Sequence, residues 1–67
     1  MTIKAHTFTT PSDAIQYSNA AGGHAIRCDG RNLVVAERVA DRMAATGVEF
    51  AYLCEGPAGR IMTVPMN

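Results

Sequence analysis

The sequence predicts a small α+β domain with the element order βαββαββ. Two stretches carry apolar residues at helical spacing and end at glycine, and short apolar segments lie around them between turn-forming residues. The chain has 67 residues, of which 48% are hydrophobic, and eleven of these are alanine. The remaining apolar side chains suffice for one core, so residues 1–67 are expected to form a single domain.

The first helix has the clearest boundaries. A first strand is expected in residues 2–9, which are rich in threonine and contain neither glycine nor proline. Thr10 can then cap a helix whose first turn accommodates Pro11. The helix is expected to end near Ala21, because Gly22 and Gly23 take the left-handed conformation that terminates helices.

The middle of the chain predicts a strand in residues 24–28 and a turn in residues 29–32. The apolar residues 33–35 allow two interpretations: a return strand, which their branched side chains favour, or the start of the next helix. That second helix is expected from about Ala36 to Gly47, with charged residues along its outer side.

The last part of the chain predicts a β-hairpin with strands in residues 48–55 and 60–66, joined by a loop at residues 56–59. A register with Glu55 opposite Arg60 would pair opposite charges across the strands. Pro65 cannot donate a backbone hydrogen bond, so the last strand is expected at a sheet edge.

The first six elements match the ferredoxin-like element order, to which the hairpin adds an extra C-terminal strand. In that fold two helices cover one face of a mainly antiparallel sheet, with the strand order 4-1-3-2. The pattern A-x-x-C-acid-G also occurs twice, beginning at Ala25 and Ala51. Either the chain contains a duplicated helix–hairpin unit or two similar units arose separately, and both interpretations stay open.

Alternation along the hairpin predicts an uncovered apolar face formed by Phe50, Tyr52, Ile61 and Thr63. Leaving large apolar side chains in water forgoes about 1.5–3 kcal/mol each. A partner is therefore expected to cover this face, most simply a second copy of the chain, which makes the protein a self-associating interaction or regulatory module. Edge-strand pairing is a second route, and a curled monomer or a different protein partner are the alternatives.

The sequence gives little support for a catalytic site or a metal site. His24 and Cys28 share a strand face but would lie about 13 Å apart, too far to bind one metal ion. The strand order 4-1-3-2 would separate Cys28 from Cys54 by about 14 Å, beyond disulfide range. No spacing pairs a nucleophile with a base, so we expect no enzyme, cofactor or metal.

The alternative function is binding of RNA or single-stranded DNA, with Phe50 and Tyr52 stacking on bases beside Arg27 and Arg60. Six positive and six negative side chains give little attraction for phosphates, which argues against this alternative. The chain start shows no signal-like apolar segment, and no run is long enough to cross a membrane. With only two cysteines, we expect a cytoplasmic protein.

Overall fold

A computed structural model describes residues 5–65 of the chain. Its elements follow the predicted order βαββαββ: strand β1 (His6–Phe8), helix α1 (Pro11–Ala21), strands β2 (His24–Cys28) and β3 (Arg31–Val35), helix α2 (Glu37–Ala45), and strands β4 (Ala51–Glu55) and β5 (Ile61–Pro65). Residues 33–35 are strand, so the helix-start interpretation is wrong. The predicted strand residues 2–4 and 66 lie outside the described residues.

Local signals account for the ends of α1 and for the first hairpin. The Thr10 hydroxyl oxygen accepts a hydrogen bond from the backbone N–H of Asp13 at 3.2 Å, as expected for a helix cap. At the other end, the N–H of Gly22 donates to the carbonyl of Ser18 at 2.9 Å. Asp29 and Gly30 both have positive φ, which makes a two-residue hairpin turn between β2 and β3, shorter than predicted.

The five strands form one antiparallel sheet in the order β1-β3-β2-β4-β5. The predicted order 4-1-3-2 shares the β1-β3-β2 part of this arrangement but is wrong for β4. That strand pairs with β2, where Arg27 lies opposite Ala51, instead of with β1.

The two helices pack on opposite faces of the sheet. One buried cluster joins α1 to Ala25 and Val34, and the other joins α2 to Ile26 and Val35. Successive residues of a strand point to opposite faces of the sheet. Ala25 and Ile26 are adjacent in β2, and Val34 and Val35 are adjacent in β3, so α1 and α2 lie on different faces. The prediction that both helices cover one face is therefore wrong, and the domain has three layers with the sheet in the middle.

The direction of the chain crossovers explains this arrangement. β1 runs parallel to β2, and β3 runs parallel to β4, each pair being separated by one antiparallel strand. Such crossovers are nearly always right-handed. The crossovers β1–α1–β2 and β3–α2–β4 move in the same direction across the sheet, but they start from strands that run in opposite directions. Two right-handed crossovers of this kind therefore place α1 and α2 on opposite faces.

The two A-x-x-C-acid-G copies lie side by side on β2 and β4. Their equivalent residues Ile26 and Tyr52 pair directly, so the two strands are related by an approximate two-fold rotation through this pair. That rotation keeps each face of the sheet on the same side, whereas α1 and α2 occupy different faces. The repeat therefore extends over the hairpin strands but not over the helices.

Gly23 is the glycine with the strictest requirement for a missing side chain. It has φ +91°, and a Cβ there would lie 2.7 Å from the carbonyl oxygen of Val35. We expect Gly23→Ala to lower the free energy of unfolding by about 2 kcal/mol or more, measured by urea denaturation. Gly22→Ala is the matched control, because Gly22 has φ +89° but open space around it. Equal losses in both variants would contradict the contact with Val35.

Asn32 is the one buried polar side chain among residues 5–64. It is 8% exposed on the α1 face of β3, and no described hydrogen-bond donor reaches its Oδ1 atom. A buried polar atom without a partner costs about 1–3 kcal/mol. We therefore expect Asn32→Leu to raise the free energy of unfolding by about 1 kcal/mol, whereas Asn19→Leu on the exposed side of α1 should change it by less than about 0.5 kcal/mol. A loss of stability in Asn32→Leu would contradict this expectation.

Candidate functional site

The most exposed apolar surface of the described residues lies on β5. Ile61, Met62 and Val64 are 38%, 46% and 43% exposed, whereas the large apolar side chains of the central strands are buried or half-buried. β5 is the last strand of the sheet, and both helices are centred on other strands. Among the elements in residues 5–65, β4 is therefore the one that packs along β5.

The register of the last hairpin differs by one residue from the prediction. Glu55 lies opposite Ile61 instead of Arg60. The loop explains the shift: the N–H of Gly56 donates to the carbonyl of Arg60 at 2.6 Å, so Arg60 closes the loop and β5 begins one residue later. A shift of one residue turns every side chain of a strand to the opposite face.

The predicted interface residues consequently do not share a surface. Phe50 and Tyr52 belong to the face under α2, and Ile61 and Thr63 lie on the α1 face. Phe50 is only 7% exposed. Tyr52 is half-buried, with its ring centroid 5.5 Å from those of Phe50 and His24. The face that was expected to be open is thus covered by α2.

The outer side of β5 presents backbone groups that pair with no other described strand. Antiparallel pairs alternate between hydrogen-bonded and non-hydrogen-bonded types, and Gly56 with Arg60 is a hydrogen-bonded pair. Counting along the register from this pair, the pairs at Ile61 and Thr63 are of the non-hydrogen-bonded type. Their N–H and carbonyl groups therefore point away from β4, as does the carbonyl group of Pro65.

This edge carries little of the usual protection against strand pairing. Natural edge strands carry charges, prolines, bulges or covering elements that discourage another strand from adding, and β5 has one of these, Pro65, at its end. The sequence of β5, IMTVP, contains no charged residue, and within residues 5–65 no element covers its outer side. The sequence reasoning missed Met62 and Val64 as exposed residues, although their place in an uncharged terminal strand ahead of Pro65 was the available signal.

The nucleic-acid alternative requires four residues to converge, and the structure separates them. Arg27 lies on the α1 face, opposite to Phe50 and Tyr52. Arg60 lies in the β4–β5 loop, and because β2 and β4 are antiparallel, this loop is at the opposite end of the sheet from the turn that follows Arg27. These two arginines and two aromatic residues therefore do not form one surface.

The two cysteines are free thiols in neighbouring strands. The expected separation by three strand spacings is wrong, but a disulfide is excluded for another reason. Each cysteine lies two residues from the Ile26–Tyr52 pair, in opposite directions, so their Cα atoms are about 13 Å apart along the strands.

Other chemistry finds little support in the described part of the chain. Among its residues, no three His, Cys, Asp or Glu side chains are placed to hold a metal ion. A groove at one end of the sheet mixes Arg27, Asp29 and Glu49, without a dominant charge. None of the described helices has the length and apolar character needed to cross a membrane.

The cysteines differ in accessibility, which predicts different reaction rates. Cys54 is exposed, whereas Cys28 is half-buried and its thiol donates to the carbonyl of Glu49 at 3.6 Å. We expect a thiol reagent to modify Cys54 at least about tenfold faster, measured by mass spectrometry over time. Cys54→Ser should remove the fast phase, and Cys28→Ser should remove the slow one. Equal rates in the native protein would contradict this difference.

The comparisons with known proteins supply no further assignment: neither family models, nor curated proteins, nor solved structures gave a match to this chain.

Proposed function

We propose that this protein is a small cytoplasmic interaction module, without catalysis of its own, that associates with a second copy through the edge of β5. The observation that carries the proposal is the uncharged outer edge of β5, with three large apolar side chains more than a third exposed. An edge of this kind is a template for another strand.

An edge, and not a face, is the surface that supports association. α1 and α2 cover the central strands on both sides, which buries Ile26 and Met43 completely. What remains is a strand with apolar side chains on both faces and hydrogen-bonding groups at its side. A partner strand satisfies both requirements at once, since it pairs with the backbone groups and packs beside the side chains.

A second copy is the partner that this edge fits best. The five residues of β5 carry no charge, so two copies bring no like charges together within the strand pair. The other edge strand, β1, has only three residues in the described chain and offers a shorter ladder. Pairing of β5 with β5 also closes after two copies, whereas pairing of β5 with β1 would continue as an open chain.

The association is expected to be weak. One pair of five-residue strands buries less surface than the roughly 1,200–2,000 Å² of stable protein complexes. The fraction of dimer then depends on the protein concentration. A strand from another protein with a similar edge can compete for the β5 edge. A regulatory role of this kind needs no catalytic group.

We expect sedimentation equilibrium between about 1 µM and about 1 mM to show a monomer–dimer equilibrium, a range that spans about −8 to −4 kcal/mol of association. The melting temperature should rise with concentration, because dimerisation stabilises only the folded state. A monomer throughout this range, with a constant melting temperature, would falsify the proposal.

Met62→Lys should weaken this association by about tenfold or more, because it places two positive charges in the strand pair. Met62 is 46% exposed in the monomer, so the melting temperature at the lowest concentration should change little. Thr7→Lys, which puts the same charge on exposed Thr7 of the β1 edge, is the matched control and should leave the dimer intact. If only Thr7→Lys disrupts association, β1 and not β5 forms the contact.

A further inference from the structure

We infer that two copies of β5 pair antiparallel about a two-fold axis at Thr63, joining the two sheets into one sheet of ten strands. This inference rests on the proposed self-association and adds its register, which decides which residues meet. The axis places Thr63 opposite the partner's Thr63, Met62 opposite the partner's Val64, and Ile61 opposite the partner's Pro65.

Backbone groups along β5 point alternately toward β4 and away from it, and this alternation limits the possible registers. The N–H groups of Ile61 and Thr63 point outward, as do the carbonyls of Ile61, Thr63 and Pro65. Outward-facing residues must meet outward-facing residues of the partner for hydrogen bonds to form. This condition excludes axes between residues and allows axes at residues. Within β5, an axis at Val64 forms only two hydrogen bonds and an axis at Pro65 forms none, because Pro65 has no N–H, so axes at Ile61, Met62 or Thr63 remain.

Charge disfavours the axis at Ile61. Arg60 immediately precedes β5, and this axis would place the two Arg60 residues about 7 Å apart along the strands. The axis at Thr63 instead separates them by six residues, about 20 Å, which is well beyond the screening length of about 8 Å at physiological ionic strength.

Side-chain matching separates the two remaining registers. An axis at Met62 would place Val64 beside the partner's Arg60, and so an apolar side chain beside a guanidinium group. The axis at Thr63 places Met62 of each copy beside the partner's Val64, so all four of these exposed side chains pack together on the α2 face. Both registers form four backbone hydrogen bonds, so the side chains decide.

Pro65 fits the register at Thr63. In that arrangement the outward carbonyl of Pro65 accepts a hydrogen bond from the partner's Ile61 N–H, which needs no donor from proline. The pair at Ala51 and Pro65 is of the non-hydrogen-bonded type, so the missing N–H also removes nothing from the ladder with β4. The five residues of each strand are then all paired, and the ladder ends at proline on both sides.

Disulfide trapping tests the register, in a background in which Cys28→Ala and Cys54→Ser remove the native thiols. With the axis at Thr63, two cysteines at position 63 are directly opposite, with Cα atoms about 5.5 Å apart and within disulfide range. Cysteines at position 62 are then offset by two residues and lie about 8 Å apart, beyond that range. The axis at Met62 reverses these two expectations.

Thr63→Cys and Met62→Cys are therefore each equilibrated in a glutathione redox buffer and analysed on non-reducing gels, with sedimentation of the reduced proteins in parallel. We expect about tenfold more cross-linked dimer for Thr63→Cys than for Met62→Cys. The reverse ratio overturns the register and retains the β5 dimer. Cross-linking of neither variant, with a dimer in sedimentation, overturns the register at Thr63 together with the register at Met62. A monomer in sedimentation overturns the proposed function itself.

Discussion

The position of β4 beside β2 is the constraint on which the rest of the structure depends. β1 and β3 run in opposite directions, yet each leads into a crossover that steps the same way across the sheet. Right-handed crossovers of this kind put their helices on opposite faces. If β4 paired with β1, the second crossover would step back and both helices would share one face. A single strand placement thus converts a two-layer domain into a three-layer one.

Because helices cover both faces of the sheet, the exposed apolar side chains lie at its edge and not on a face. A helix with its side chains is about 10 Å wide, and strands are about 4.8 Å apart, so one helix covers about two or three strands. α1 and α2 pack over the middle of the sheet, where Ala25, Ile26, Val34 and Val35 are buried. β5 lies beyond their reach and exposes Ile61 on one face and Met62 on the other.

The secondary structure was predictable because its signals are local, whereas the strand order depends on contacts far apart in the sequence. The cap at Thr10, the stop at Gly22 and the turn at Asp29 each act within a few residues. Nothing local says which strand β4 will meet. A signal was nevertheless present, because Ala25-Ile26 and Val34-Val35 are neighbouring apolar pairs that place apolar side chains on both faces of the central strands. A two-layer domain would leave half of them in water.

The sequence predicted that the last hairpin would expose an apolar surface, but not which residues would form it. The last hairpin has more apolar residues than a small sheet needs, but closure of the loop at Arg60 set a register that no residue pattern indicated. That register moved Ile61 and Thr63 to the α1 face, while α2 covered Phe50. The apolar excess therefore lies in one uncharged edge strand. In the proposed dimer, two-fold pairing would use both β5 edges, and the joined sheet would end on the short β1 strands.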